Sequence, residues 1–178
     1  MGGPLRAHPD GCGARILRDG VAARPRPAPA GGFVTPRPVD VASVQAKLRS
    51  LDDLLGALRL VGEVDGGRLG QDVLLRLAVE RALTQAVDLV VAVCSHVLAA
   101  ETATVPTTYR DAVRAAGEHG LIGTELARSL AAAVGLRNIL VHEYARADLS
   151  IVASAVPVAR LDLADFVRQV AGWVQGRR

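Results

Sequence analysis

"DVASVQAKLRSLDDLLGALRLVG", residues 40–62, decides the fold class. Val41, Val44, Leu48, Leu51, Leu55 and Leu58 recur every three or four positions. That spacing stacks side chains along one face of an α-helix, and Asp40 or Ser43 can cap its start. Gly62, Gly66 and Gly67 then break the chain. The same rhythm resumes downstream, and nowhere does the strict alternation of a half-buried strand compete with it.

A second, longer helix is expected from about Leu69 to Glu101. It is apolar on most sides around Val87–Val93, as a central helix covered by neighbours should be. Its most apolar run, "AVDLVVAVCSHVLAA" (86–100), is short for a membrane span and carries Asp88 and His96. It reads as a buried helix of a soluble, cytoplasmic protein with no membrane partner. A turn at Pro106 and a threonine cap precede a short helix from about Tyr109 to Glu118, stopped by Gly120. Thr124 is placed as the cap of "ELARSLAAAVGLRNILVHEYA" (125–145), and a last helical region runs from about Asp148 to Val174. Pro157 inside it removes a backbone donor and should break or kink it. The sum is four main helices plus one short one, an all-α bundle.

Half of the 178 residues are apolar but only 3% are aromatic, so Leu, Val, Ile and Ala must fill the core. Residues 1–38 hold seven of the nine prolines and seven of the eighteen glycines, and are expected to be a disordered Arg/Pro/Gly-rich extension ahead of a domain over 39–178. Charge divides at the same place. Residues 1–39 carry six arginines against Asp10 and Asp19, a net of +4 out of the total of +3, which leaves −1 for the rest. A body of that charge is no general nucleic-acid coat, so any RNA contact has to be local. Cys12 and Cys94 show no CxxC spacing, which speaks against a disulfide framework or a zinc site. In Cys94-Ser95-His96 two ligands are too few, and Cys94 reads as a buried thiol.

"GLRNILVHEYA", residues 135–145, gathers Arg137, Asn138, His142 and Tyr144 within eight positions. Arg137 and His142 are five apart, so on an ideal helix they point about 140° away from each other, while Arg137 and Tyr144 nearly align. Either the helix loosens near His142, or a second copy of the chain completes the site across a twofold axis; the long arginine side chain can also cover part of the gap. Cleavage of RNA suits one arginine and one histidine without a carboxylate pair or metal cluster. The ribose 2′-hydroxyl is the nucleophile, imidazole exchanges its proton near neutral pH, and guanidinium offers fixed donors to phosphate oxygens. DNA lacks that hydroxyl and should resist.

"RNILVHEY" matches the R-x4-H motif of the HEPN superfamily in its RN-xxx-H-x-Y form, and in that form resembles the HepT family of RNase toxins from HepT/MntA toxin–antitoxin pairs. The resemblance extends over about residues 40–175. "ERALTQAVDLVVAVCSHVLA" is similar to the family's long second helix. "VPTTYRDAVRAAGEHGLIGTELARSLAAAVGLRNILVHEY" follows its order of Pro-x-x-Tyr-Arg turn, short helix, glycine break and motif helix. The resemblance implies a HEPN-type four-helix bundle and a metal-independent endoribonuclease with no cofactor. In it Arg137 and His142 would be the catalytic pair and Asn138 would hold the site's geometry. It also implies a homodimer lining one cleft, and an MntA-type nucleotidyltransferase antitoxin that AMPylates Tyr144. A phosphate-bearing adduct beside Arg137 and His142 would occupy the substrate's place and cancel positive charge. The rival reading is a non-catalytic docking subunit of a nucleotidyltransferase. Outside the motif, Arg81 and Asp88 share a face of the long helix and are candidates for an interhelical or interface pair, and Tyr109-Arg110 for the border of an RNA cleft.

Overall fold

The computed structural model describes residues 38–102, 106–143 and 147–177. The expected disordered tail lies outside them, apart from Pro38, and so does Tyr144. Among the described residues there are six helices and no strand: α1 (Val41–Val61), α2 (Gly66–Gln71), α3 (Val73–Glu101), α4 (Tyr109–Glu118), α5 (Thr124–His142) and α6 (Leu149–Gln175). The long helices α1, α3, α5 and α6 form the bundle, and α3 is its centre, touching all five others. By length and composition α3 has the makings of a membrane span, but 56% of that apolar stretch is buried within the bundle.

The expected face of α1 is the one that packs. Val44, Leu48, Leu51, Leu55 and Leu58 are buried and only Val41 lies at the margin. Asp40 caps the helix by accepting the Ser43 N–H at 3.0 Å, and its own N–H is held by His96 Nε2 at 3.1 Å. Aliphatic side chains make up nearly the whole core, although its largest fully buried member is Phe166. Cys94 is buried, as expected. Its surroundings penalise the thiolate and push its pKa up to about 12.

Four local expectations are corrected. The helix drawn from Leu69 is two helices, because Asp65 caps α2 through the Arg68 N–H and Asp72 caps α3 through the Leu75 N–H. The bundle therefore carries two short helices, α2 and α4, rather than one. Thr124 is the first residue of α5 and not its cap. The cap is Gly123, which has no side chain to offer and whose N–H is taken by Gln169 Oε1 of α6 at 2.6 Å. That helix stops at His142 rather than continuing to residue 145. Pro157 does not break α6, which runs through it for 27 residues. Tertiary contacts hold both halves in the bundle. Val152, Ala153 and Val156 before the proline and Leu163, Phe166 and Val170 after it are all buried in one core. Arg160, just beyond the proline, donates from Nε and Nη2 to Leu58 O (3.0 and 2.5 Å) and from Nη2 to Gly62 O (2.5 Å). It thereby satisfies carbonyls that the end of α1 leaves open.

The placement of α4 matters most for the motif. Thr108 caps it, as expected, by accepting the Asp111 N–H at 3.1 Å. Gly117 lets α4 lie directly on α5, since a Cβ there would stand 2.7 Å from the Cβ of Ala127. Gly120, with φ of 78°, turns the chain into Leu121 and Ile122, which anchor the α4–α5 connection in the core.

Candidate active site

Arg137 occupies the penultimate turn of α5 and points inward. Its side chain is 16% exposed, and its Nε donates to Asp88 Oδ1 of α3 at 2.9 Å. Its guanidinium carbon lies 5.0 Å from the centre of the Tyr109 ring at the start of α4, within cation–π range. Nη1 faces Asn138 Oδ1 at 3.4 Å. Three helices thus fix one guanidinium: α3 by charge, α4 by an aromatic face, α5 by the neighbouring amide. Only two of its five N–H groups are engaged among the described residues. Arg137 also lines a hollow together with Thr108, Tyr109, Arg110, Val134 and Asn138. A rigid donor edge in such a hollow is suited to oxygens of a phosphate.

His142 is elsewhere. It is the last residue of α5, exposed, and has no hydrogen-bond partner among the described residues. The helix does not loosen before it: the Glu143 N–H still reaches Ile139 O at 2.8 Å. The divergence of about 140° expected of an intact helix therefore stands, and one copy of the chain does not turn both groups toward one point. Asn138 does touch Arg137, as the motif reading requires. Tyr144 follows the end of α5 by two positions, outside the described residues.

Of the two charges that share a face of α3, Asp88 does form an interhelical pair, with Arg137 of α5, 49 positions away. Arg81 is exposed. A carboxylate in the middle of an otherwise apolar helix was the signal, but its partner depends on where α5 packs. Tyr109 and Arg110 do join the motif, in the hollow described above. A second groove opens between α3, α5 and α6, with Leu83, Val87, Leu136 and Leu140 on one wall and Ile151 and Val158 on the other. Arg137 lines this groove too, so it separates an apolar surface from a polar one.

The all-helical bundle is of the HEPN type. Within it, the family model for Ribonuclease HepT-like proteins matches residues 51–170, and the chain belongs to that family of endoribonucleases. Its sequence is 29% identical over 103 residues to the mRNA nuclease HepT of Shewanella oneidensis, a stretch that covers 58% of this chain and 77% of that one. Its structure resembles the tri-AMPylated Shewanella oneidensis HEPN toxin in complex with MNT antitoxin, with a TM-score of 0.66 and 25% identity over 72% of this chain and 96% of that chain. It also shares its fold with YutE of Bacillus subtilis, a cytosolic protein of unknown function, at a TM-score of 0.69 and 16% identity over 78% and 93% of the two chains.

Proposed function

We propose that this chain is the toxin of a HepT/MntA-type pair: a cytoplasmic, homodimeric, metal-independent endoribonuclease. Arg137 and His142 carry the reaction. The ribose 2′-oxygen loses its proton and bonds to phosphorus, the bond from phosphorus to the 5′-oxygen breaks, and the departing 5′-oxygen takes up a proton. His142 handles the proton, and Arg137 stabilises charge on the phosphoryl oxygens. Asn138 keeps the guanidinium in register. The observation that carries this reading is the immobilised Arg137, which keeps unengaged donors and lines a hollow with Tyr109, Arg110 and Asn138.

Pairing of two copies answers the angular problem, because the His142 of one can approach the Arg137 of the other. The groove between α3, α5 and α6 supports it. Its walls are apolar, Ile151 and Val158 are about half exposed (56% and 49%), and Arg137 stands at its edge. Regulation by a nucleotidyltransferase rests on the motif's tyrosine, Tyr144, two positions beyond His142. AMP units there would bring phosphates to the donors meant for RNA.

The test is cleavage of a labelled single-stranded RNA by the full chain at neutral pH in the presence of a chelator. Wild type should cleave, His142→Ala should lose activity without losing stability, and a single 2′-deoxy substitution at the cut should block the reaction. If wild type and His142→Ala are equally inert on diverse RNAs, the docking-subunit reading replaces this one. Incubation with the partner nucleotidyltransferase and ATP should add AMP mass to wild type and not to Tyr144→Phe.

A further inference from the structure

Arg110 lines the hollow in front of Arg137, and it also lines a second hollow that continues along the seam of α4 and α5. Its guanidinium lies down on α5: a Cβ at Gly135 would stand 3.4 Å from Arg110 Nη2. One turn further, about 6 Å along the axis of α4, Arg114 lines the same seam. Arg128 of α5 is there as well, but Glu125 holds it at 2.5 Å. Glu118 closes the far end of the seam. Arg110 and Arg114 are exposed and have no carboxylate partner among the described residues. In a body whose net charge is −1 beyond residue 39, Arg110 and Arg114 place two cations without a carboxylate partner in one groove that leads to the proposed catalytic arginine.

We propose that the α4–α5 seam is the path of the RNA strand beside the cut, with Arg110 and Arg114 each binding a flanking phosphate. This rests on the nuclease reading above and adds the substrate's route to it. The ligand is a single strand: one helical turn between two cations suits neighbouring phosphates of an extended backbone. The exposed edge of Tyr109 at the junction also gives an unstacked base an aromatic surface, as single-strand grooves do. The seam selects by charge and not by base, since Arg110 and Arg114 are aimed at the backbone.

The experiment measures binding of a fluorescent single-stranded RNA to the full chain in the non-cleaving His142→Ala background, over a range of salt. The double variant R110Q/R114Q should weaken binding several-fold and lower the slope of log K against log salt by about 1.4, two contacts at about 0.7 each. R110K/R114K should restore most of both, and Arg49→Gln, on α1 and away from α4 and α5, should change neither. In the active chain the double Gln variant should raise KM more than it lowers kcat. Unchanged affinity and slope in R110Q/R114Q overturn the path, even where wild type cleaves RNA. Loss of binding to the nucleotidyltransferase partner with RNA affinity retained also overturns it, and gives the seam to that protein. A chain that binds RNA through these arginines yet never cleaves leaves the path standing and removes the nuclease.

Discussion

Replacing Asp88 by Asn tests whether Arg137 works because it is held. The Asn amide oxygen can still accept from Nε, so the packing between α3 and α5 survives and only the charge is lost. A hydrogen bond to a charged partner contributes about 1 kcal/mol more than a neutral one. The Asp88 side chain is 42% exposed, so solvent screening trims that difference. The expected loss of stability is about 0.5 to 1 kcal/mol, a shift of roughly 1–4 °C in Tm for a chain of this size. On the reaction the same slackening reaches the transition state: about 1 kcal/mol corresponds to a roughly fivefold fall in kcat. KM should hold or fall, because an anion has been removed from behind the phosphate site. Arg137→Ala, by contrast, deletes the donor itself and should cost about 10² to 10³ in kcat. A cycle of the two substitutions on a labelled RNA, with urea melts alongside, separates these effects. In the Arg137→Ala background, Asp88→Asn should do nothing further. An equal loss in both backgrounds, or an unchanged kcat in the single variant, would refute a positioning role for Asp88.

Cys94, raised to about 12 from 9.0, stays protonated in the fold while the unfolded chain ionises. Stability from this group is complete below about pH 9 and falls by up to about 1.4 kcal/mol per pH unit as pH climbs toward 12. Urea melts of Cys94→Ala and wild type at pH 8 and 10, both in a Cys12→Ser background, should converge at the higher pH. Arg160→Ala strips the end of α1 of a charged donor shared by two carbonyls and should cost about 1.5 to 3 kcal/mol in urea melts. A loss below 0.5 kcal/mol would mean that water replaces it freely. Pro157 is exposed within a continuous α6, so Pro157→Ala restores a backbone donor and should raise stability by about 1 to 3 kcal/mol. A lowered Tm would show that the local backbone set by this proline is itself required for packing.

The long helices of this protein and their buried faces follow from spacing, because period and burial are local properties of a helix. Val44 to Leu58 on α1 and the all-round apolar stretch of α3 needed no neighbour to be read. The grouping of Arg137, Asn138, His142 and Tyr144 was equally plain, since it lies within one short run. The caps at Asp65 and Asp72 were local too, but glycines beside them masked a six-residue helix. What the order of residues does not contain is which distant groups meet. Asp88 finds Arg137 across 49 positions, and Tyr109 supplies the ring beneath it, only because α4 and α5 close onto α3. The continuity of α6 through Pro157 was settled in the same way, by packing energy from the core outweighing a local cost of a few kcal/mol.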